Sequence, residues 1–120
     1  MNRQQLFDYV KRKYGTVPDY PWFDGNAVLR HTDNRKWYGL VMAVGRDKLN
    51  LSGEGTVDVL NVKCDPMLGG LLRQREGFHP AYHMNKEKWL TIRLDGSVAD
   101  EEIGNLIDLS YGLTRRKKKE

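Results

Sequence analysis

The sequence predicts an α+β fold, an antiparallel sheet of about five strands with three helices packed on one face. Three observations predict it. Amphipathic helical patterns stand at the two ends of the 120-residue chain, and Asp65-Pro66 opens a short helix between them. Runs rich in branched and aromatic residues alternate with short polar turns, the pattern of strands. Most links between those runs are too short for crossover helices, which favours antiparallel pairing. The order read along the chain is α-β-β-β-α-β-β-α.

Each element has its own signal. Asn2 caps the first helix with Gln5 three residues on, and Leu6, Phe7, Val10 and Tyr14 follow at helical spacing. Gly15 and Pro18 end it, and Lys11, Arg12 and Lys13 suit the negative end of its dipole. TVPDYPWFDGN (16–26) is a loop by its prolines and Asp-Gly pair. AVLRH (27–31) and KWYGLVMAV (36–44) are strands joined by the polar turn TDNR (32–35), a hairpin. GRDKLNLSGEG (45–55) reads as a mobile glycine-rich loop, and TVDVLNVKC (56–64) as a third strand. After Asp65-Pro66, Leu68, Leu71 and Leu72 make the buried stripe of a helix that Gly69 and Gly70 weaken and Gly77 closes.

A strand near Ala81–Met84, a turn at Asn85–Lys88 and a strand at Trp89–Leu94 come next. In the last, Leu90, Ile92 and Leu94 point one way, Thr91 and Arg93 the other. Ser97 and Asp100 cap a final helix, in which Ile103, Leu106, Ile107 and Tyr111 repeat at three and four residues. Residues 1–114 form one domain, followed by a basic tail, RRKKKE (115–120), expected to be disordered.

The net charge of +4 invites a nucleic-acid reading. The tail alone carries that +4, so residues 1–114 sum to zero. A basic surface on the domain therefore requires charge to segregate. Residues 1–50 hold nine basic and five acidic side chains, and residues 51–114 hold six and ten, which permits such a surface. Cys64 is the only cysteine, so no internal disulfide forms. No apolar run reaches membrane-spanning length and the first fifteen residues lack a signal-peptide pattern, so a reducing, cytoplasmic setting is expected.

The stretch HPAYHMNKEKWLTIRLDG (79–96) gathers histidines, aromatics and lysines, yet it gives no catalytic constellation. His79 and His83 are four apart, but Pro80 keeps His79 out of a helix. In extended chain they stand about 13 Å apart, too far to share a zinc whose ligands lie about 2 Å from it. His31 is remote from both. Cys64 precedes Asp65, whose charge raises a thiol pKa, so a buried apolar role fits it better than a nucleophilic one. No serine sits in a nucleophile elbow, and Glu101 and Glu102 simply suit a helix N-terminus. No metal, cofactor or enzymatic activity is expected. Tyr82 and Trp89 flank a tight turn and suggest cross-strand aromatic packing, while Asn85 suits the left-handed geometry of that turn.

Read in order, the chain resembles the YjbR/MmcQ family of small bacterial proteins. The resemblance rests on Lys63-Cys-Asp-Pro66 before a helix, then Pro80, Tyr82, Asn85, Lys86 and Trp89, then Leu94-Asp-Gly96, and finally Ser110-Tyr111. Lys88 stands where many relatives carry histidine. The resemblance implies a frataxin-type (CyaY-like), double-wing α/β sandwich and carries the label DNA-binding. It supplies no catalytic residues. Tyr82, His83, Asn85 and Trp89 belong to the signature as structural or binding residues.

Two readings follow. In the first, the domain contacts double-stranded DNA non-catalytically, through phosphates met by Arg35 and Lys36 at one hairpin turn and by Lys86, Lys88 and Arg93 at the other. In the second, it is a non-catalytic protein- or small-ligand-binding domain, using the sheet face or the cleft beside loop 16–26, where Tyr20, Trp22 and Phe23 offer aromatic surface. The first requires both turns to share one surface.

Overall fold

A computed structural model describes residues 1–115. The elements are α1 (Arg3–Tyr14), β1 (Ala27–Arg30), β2 (Trp37–Gly45), β3 (Thr56–Lys63), α2 (Pro66–Leu72), β4 (Phe78–Pro80), β5 (Trp89–Arg93) and α3 (Asp100–Thr114), with a short 3-10 turn at Arg46–Leu49. The five strands form one antiparallel sheet in the order β1-β2-β3-β5-β4. The α-β-β-β-α-β-β-α order and the antiparallel α+β architecture are those the sequence predicts. The tail, from residue 116 on, lies outside the described residues.

Strand periodicity sorts the side chains into two layers. Leu60 and Val62 of β3 face the same way as Leu90 and Ile92 of β5. They join Leu6 and Val10 of α1, Leu72 of α2, and Ile103, Leu106 and Ile107 of α3 in the main core. All three helices therefore cover one face. The opposite face carries Val28, Leu40, Met42, Val44, Val57 and Val59. It is covered by chain segments rather than helices: Leu49 and Leu51 from the 45–55 segment, and Tyr82 and Met84 from the segment before β5.

Local signals explain most boundaries. Asn2 and Gln5 make the reciprocal capping box of α1, and Gly15 ends it at φ 68°. Asp65 accepts from the Leu68 amide at the start of α2, with Pro66 in the first turn. A bulge between Leu29 and Arg30 of β1 against β2 turns Tyr38 into the helix layer. There the Ser110 hydroxyl of α3 donates to the Tyr38 carbonyl (2.6 Å) and accepts from the Lys63 amide (2.9 Å), joining β2 to β3 where the ladder ends. Tyr111 stacks on Tyr14 at 3.8 Å and sits 4.2 Å from His31. Ser110 and Tyr111 of the signature are thus packing residues.

Several expectations are corrected. The 45–55 segment is not a bare loop: its 3-10 turn buries Leu49, and the Arg46 guanidinium donates to the Ser52 carbonyl (2.7 Å), closing it on itself. α2 ends at Leu72 rather than near Gly77, and Leu71 is 62% exposed, because seven residues present only a narrow buried stripe. The fourth strand is Phe78–Pro80 and not Ala81–Met84. Pro80 has no amide to extend the ladder, and the chain leaves the edge to fold across the sheet. Ser97 does not cap α3. Its amide and hydroxyl turn back to Asp95, and Ala99 holds the cap position without a side-chain bond.

Asp108 of α3 ties α1 to α3, a link between residues some 95 positions apart that no local pattern marks. Its carboxylate accepts from Lys13 Nζ (2.6 Å), Tyr14 (2.5 Å) and Tyr9 (3.0 Å). Burial alone would raise its pKa, but these three hydrogen bonds outweigh burial and hold it below the usual carboxylate range. A carboxyl depressed in the folded state stabilises above its unfolded pKa, near 3.9, and loses that contribution as pH falls through the folded value. Asp108→Asn is therefore expected to lower the melting temperature at neutral pH. The wild type's advantage should shrink on titration below about pH 4, measured by thermal melts across pH.

Candidate nucleic-acid interface and adjoining cavity

The strand directions decide where the predicted residues lie. β1 ends, β2 begins, β3 ends, β4 ends and β5 begins at one end of the sheet, here called the upper end. The β1–β2 turn and the β4–β5 connection both leave from it. The C-terminus of α3 reaches it as well, since Asn34 Nδ2 donates to the Thr114 carbonyl (2.9 Å) and His31 Nε2 lies 2.8 Å from Thr114 Oγ1. The lower end holds Glu76, Asp95, Asp100, Glu101 and Glu102 around the 94–99 turn and the start of α3. Charge is nonetheless mixed at both ends: the upper turns also carry Asp33, Asp65 and Glu87, and the lower end Arg46, Lys48, Arg75 and Arg93.

The five predicted cations do not share one fate. Arg35, Lys36 and Lys88 are exposed at the upper end and have no carboxylate partner among the described residues. Arg35 holds a left-handed backbone, φ 63°, at the tip of its turn. Lys86 is exposed, yet its ammonium turns back to donate to the Ala81 carbonyl (3.0 Å). Arg93 does face away from the helices, but it lies at the other end of β5 and is 6% exposed. Its guanidinium meets Glu76 (3.3 Å) and Asp95 (3.4 Å), the latter close enough for charge attraction though misaligned for a hydrogen bond. A buried, neutralised guanidinium cannot meet a phosphate, so Arg93 does not belong with the other four.

The signature residues shape the segment between β4 and β5. Asn85 Oδ1 accepts from the amides of Glu87 (2.9 Å) and Lys88 (3.2 Å), and its carbonyl accepts from Trp89. It acts as a cap of one helical turn; the left-handed residue is His83, φ 60°, two positions earlier. The Tyr82 ring lies 4.0 Å from the His83 ring and packs on the open sheet face, so no Tyr82–Trp89 pair forms. Trp89 is half-buried opposite Lys63. Asn61, deep in β3, pins the segment. Its amide donates to the Tyr82 carbonyl (2.9 Å) and its Oδ1 accepts from Thr91 (2.5 Å), while Thr91 Oγ1 accepts from the Tyr82 amide (2.9 Å).

Pinned there, the segment walls a cavity of about 460 Å³ on the open face, within the size range of ligand sites. Trp22 and Trp37 meet edge to face, 5.7 Å apart at 83°. Leu40, Met42 and Met84 add apolar lining, and Asp24, Asn26, His83 and Asn85 add polar groups. The Arg30 guanidinium sits 5.4 Å from the Trp37 ring and pairs with Asp19 (3.0 Å). Trp22 was legible as an exposed loop aromatic; its meeting with Trp37 was not, because only the folded chain brings loop 16–26 across to β2.

The remaining titratable groups serve packing. Burial pushes the Cys64 thiol up and Asp65 adds to the shift, as expected of a structural cysteine. Burial also lowers His31 and His79, favouring neutral rings. Among the described residues no group of three or more histidine, cysteine or carboxylate side chains could hold a metal, and no helix is long and apolar enough to cross a membrane.

Known proteins of the same construction bear the fold out. A Pseudomonas syringae protein has a crystal structure with a TM-score of 0.93 at 50% identity, covering 96% of this chain and all of that one. A Deinococcus radiodurans structure reaches 0.71 at 27% identity, over 93% of this chain and 77% of its own. The uncharacterized protein YyaQ of Bacillus subtilis is 49% identical over 117 residues, 96% of this chain and 99% of its own. The uncharacterized protein YjbR of Escherichia coli is 43% identical over 53 residues, 43% of this chain and 45% of its own. The YjbR family profile matches residues 11–113, a span that takes in Lys13, Tyr14 and Asp108, the Asn85 cap and the Ser110 bridge alike, and the chain belongs to that family.

Proposed function

We infer that the protein binds DNA without catalysing a reaction, its upper end meeting the phosphate backbone. The observation that carries this reading is the gathering of Arg35, Lys36 and Lys88, exposed and without carboxylate partners among the described residues, at the sheet end where the two turns and the C-terminus of α3 converge. Such a patch attracts phosphates without reading sequence, and its affinity falls as salt competes. Lys86 becomes a fourth contact only if its ammonium leaves the Ala81 carbonyl.

The test is a titration of labelled duplex DNA at several salt concentrations, with wild type, Arg35→Ala/Lys36→Ala/Lys88→Ala, and a chain ending at Thr114. The triple variant is expected to bind more weakly and to lose about 0.9 of the log–log salt slope for each phosphate contact removed. The shortened chain is expected to weaken but to keep a measurable affinity. An unchanged triple variant, or binding abolished by loss of the tail alone, contradicts the reading.

A further inference from the structure

We propose that the Trp22–Trp37 cavity takes an unpaired nucleobase, so that the DNA bound at the upper end is single-stranded where it crosses the open face. This rests on the phosphate-binding reading above and adds a site to it. The lining fits a planar heterocycle. Two indole rings at nearly a right angle offer one stacking face and one edge. The carboxylate of Asp24 and the side-chain amides of Asn26 and Asn85 supply acceptors and donors at the margin. Asp24 already accepts from Asn26 but, as a carboxylate, keeps lone pairs for the amino edge of a base.

Charge chooses between two ligands that aromatic walls can hold. Paired indoles with a nearby carboxylate also suit a quaternary ammonium. Here Arg30 already lies over Trp37, Lys36 immediately precedes Trp37 at the start of β2, and Lys88 follows Asn85 by three residues. Among the described residues Arg30 pairs with a carboxylate, Asp19, and Lys36 and Lys88 do not. Asp24 is the one charge among the described lining residues, and the cations stand beside the wall rather than in it, placed for a ligand that carries an anionic tail, as a nucleotide does. Backbone strain marks the same place. Phe23, next to Trp22, has φ 56° and is 95% exposed, and His83 has φ 60° on the opposite wall. A bulky residue in the left-handed region costs energy, and Phe23 recovers none by burial.

The experiment follows tryptophan fluorescence and affinity with a short oligothymidylate, an abasic strand of equal length, a duplex and free thymidine monophosphate, for wild type, Trp22→Ala and Trp22→Phe. Trp22 is half exposed on a loop, so its removal spares the core. The oligothymidylate is expected to quench fluorescence and to bind more tightly than the abasic strand. Trp22→Ala is expected to weaken oligothymidylate about tenfold to a hundredfold, the value of one stacked base, to leave the abasic strand and duplex unchanged, and to be largely rescued by Trp22→Phe. Equal binding of base-bearing and abasic strands, or equal losses on both in Trp22→Ala, overturns the cavity proposal while leaving phosphate binding intact. Monophosphate binding as tight as that of the strand keeps the nucleotide chemistry but makes the ligand a free nucleotide, and overturns the DNA reading. No binding of any probe overturns both.

Discussion

Asn61→Ala is expected to destabilise the fold by about 2–4 kcal/mol, because the substitution strands two buried groups at once. Asn61 is fully buried on the open face of β3. Its loss leaves the Thr91 hydroxyl without its acceptor and the Tyr82 carbonyl without its donor, and a buried polar group left unpaired costs more than the net gain of the bond it made. Denaturant unfolding measures the effect. A double-mutant cycle with Thr91→Val separates the network from side-chain volume: a coupling energy near zero contradicts the account. The same change frees Tyr82 and Met84 from the sheet, so the cavity wall should loosen. Base-dependent binding is then expected to fall more than binding of an abasic strand.

Gly77→Ala is expected to cost about 3 kcal/mol, the second large effect. Two independent penalties combine. The residue holds φ 93°, a backbone that L side chains rarely adopt, and forcing it there costs on the order of 1–2 kcal/mol. A Cβ at this site would also stand 2.5 Å from Val98 Cγ2 and 2.8 Å from Ser97 Oγ. Val98 is 3% exposed and stiff at χ1, so it cannot swing away. Gly96→Ala is the internal control. It shares a positive φ, 89°, but its Cβ would meet nothing within 4 Å. Thermal or denaturant unfolding should rank Gly77→Ala well below Gly96→Ala; equal losses would show that the contact with Val98 does not matter.

How far the sequence carries depends on whether a feature is local. The capping box of Asn2 and Gln5, the Asp65-Pro66 start and the β5 alternation are set by neighbours a few residues apart, and each stands where the spacing puts it. The fourth strand departs from the expected Ala81–Met84 for a local reason: Pro80 ends the ladder, and the segment after it is held by Asn61 and Thr91 from other strands. Asp108, Asn61 and the Trp22–Trp37 contact lay hidden for the same reason, since their partners are tens of residues away or in another element. Arg93 is the instructive case. Period-two alternation correctly turns it from the helices, yet nothing along the strand discloses that Glu76 and Asp95 neutralise it.

The most direct measurement of the central claim is an amide NMR titration of the full chain with DNA. The account predicts that the shifts cluster at residues 35–37 and 85–89, with residues 22–26 joining when the strand offers unpaired bases. The lower end, from Asp95 to Glu102, should stay unmoved. Shifts confined to the lower end, or spread evenly over residues 1–114, would contradict an upper-end DNA site.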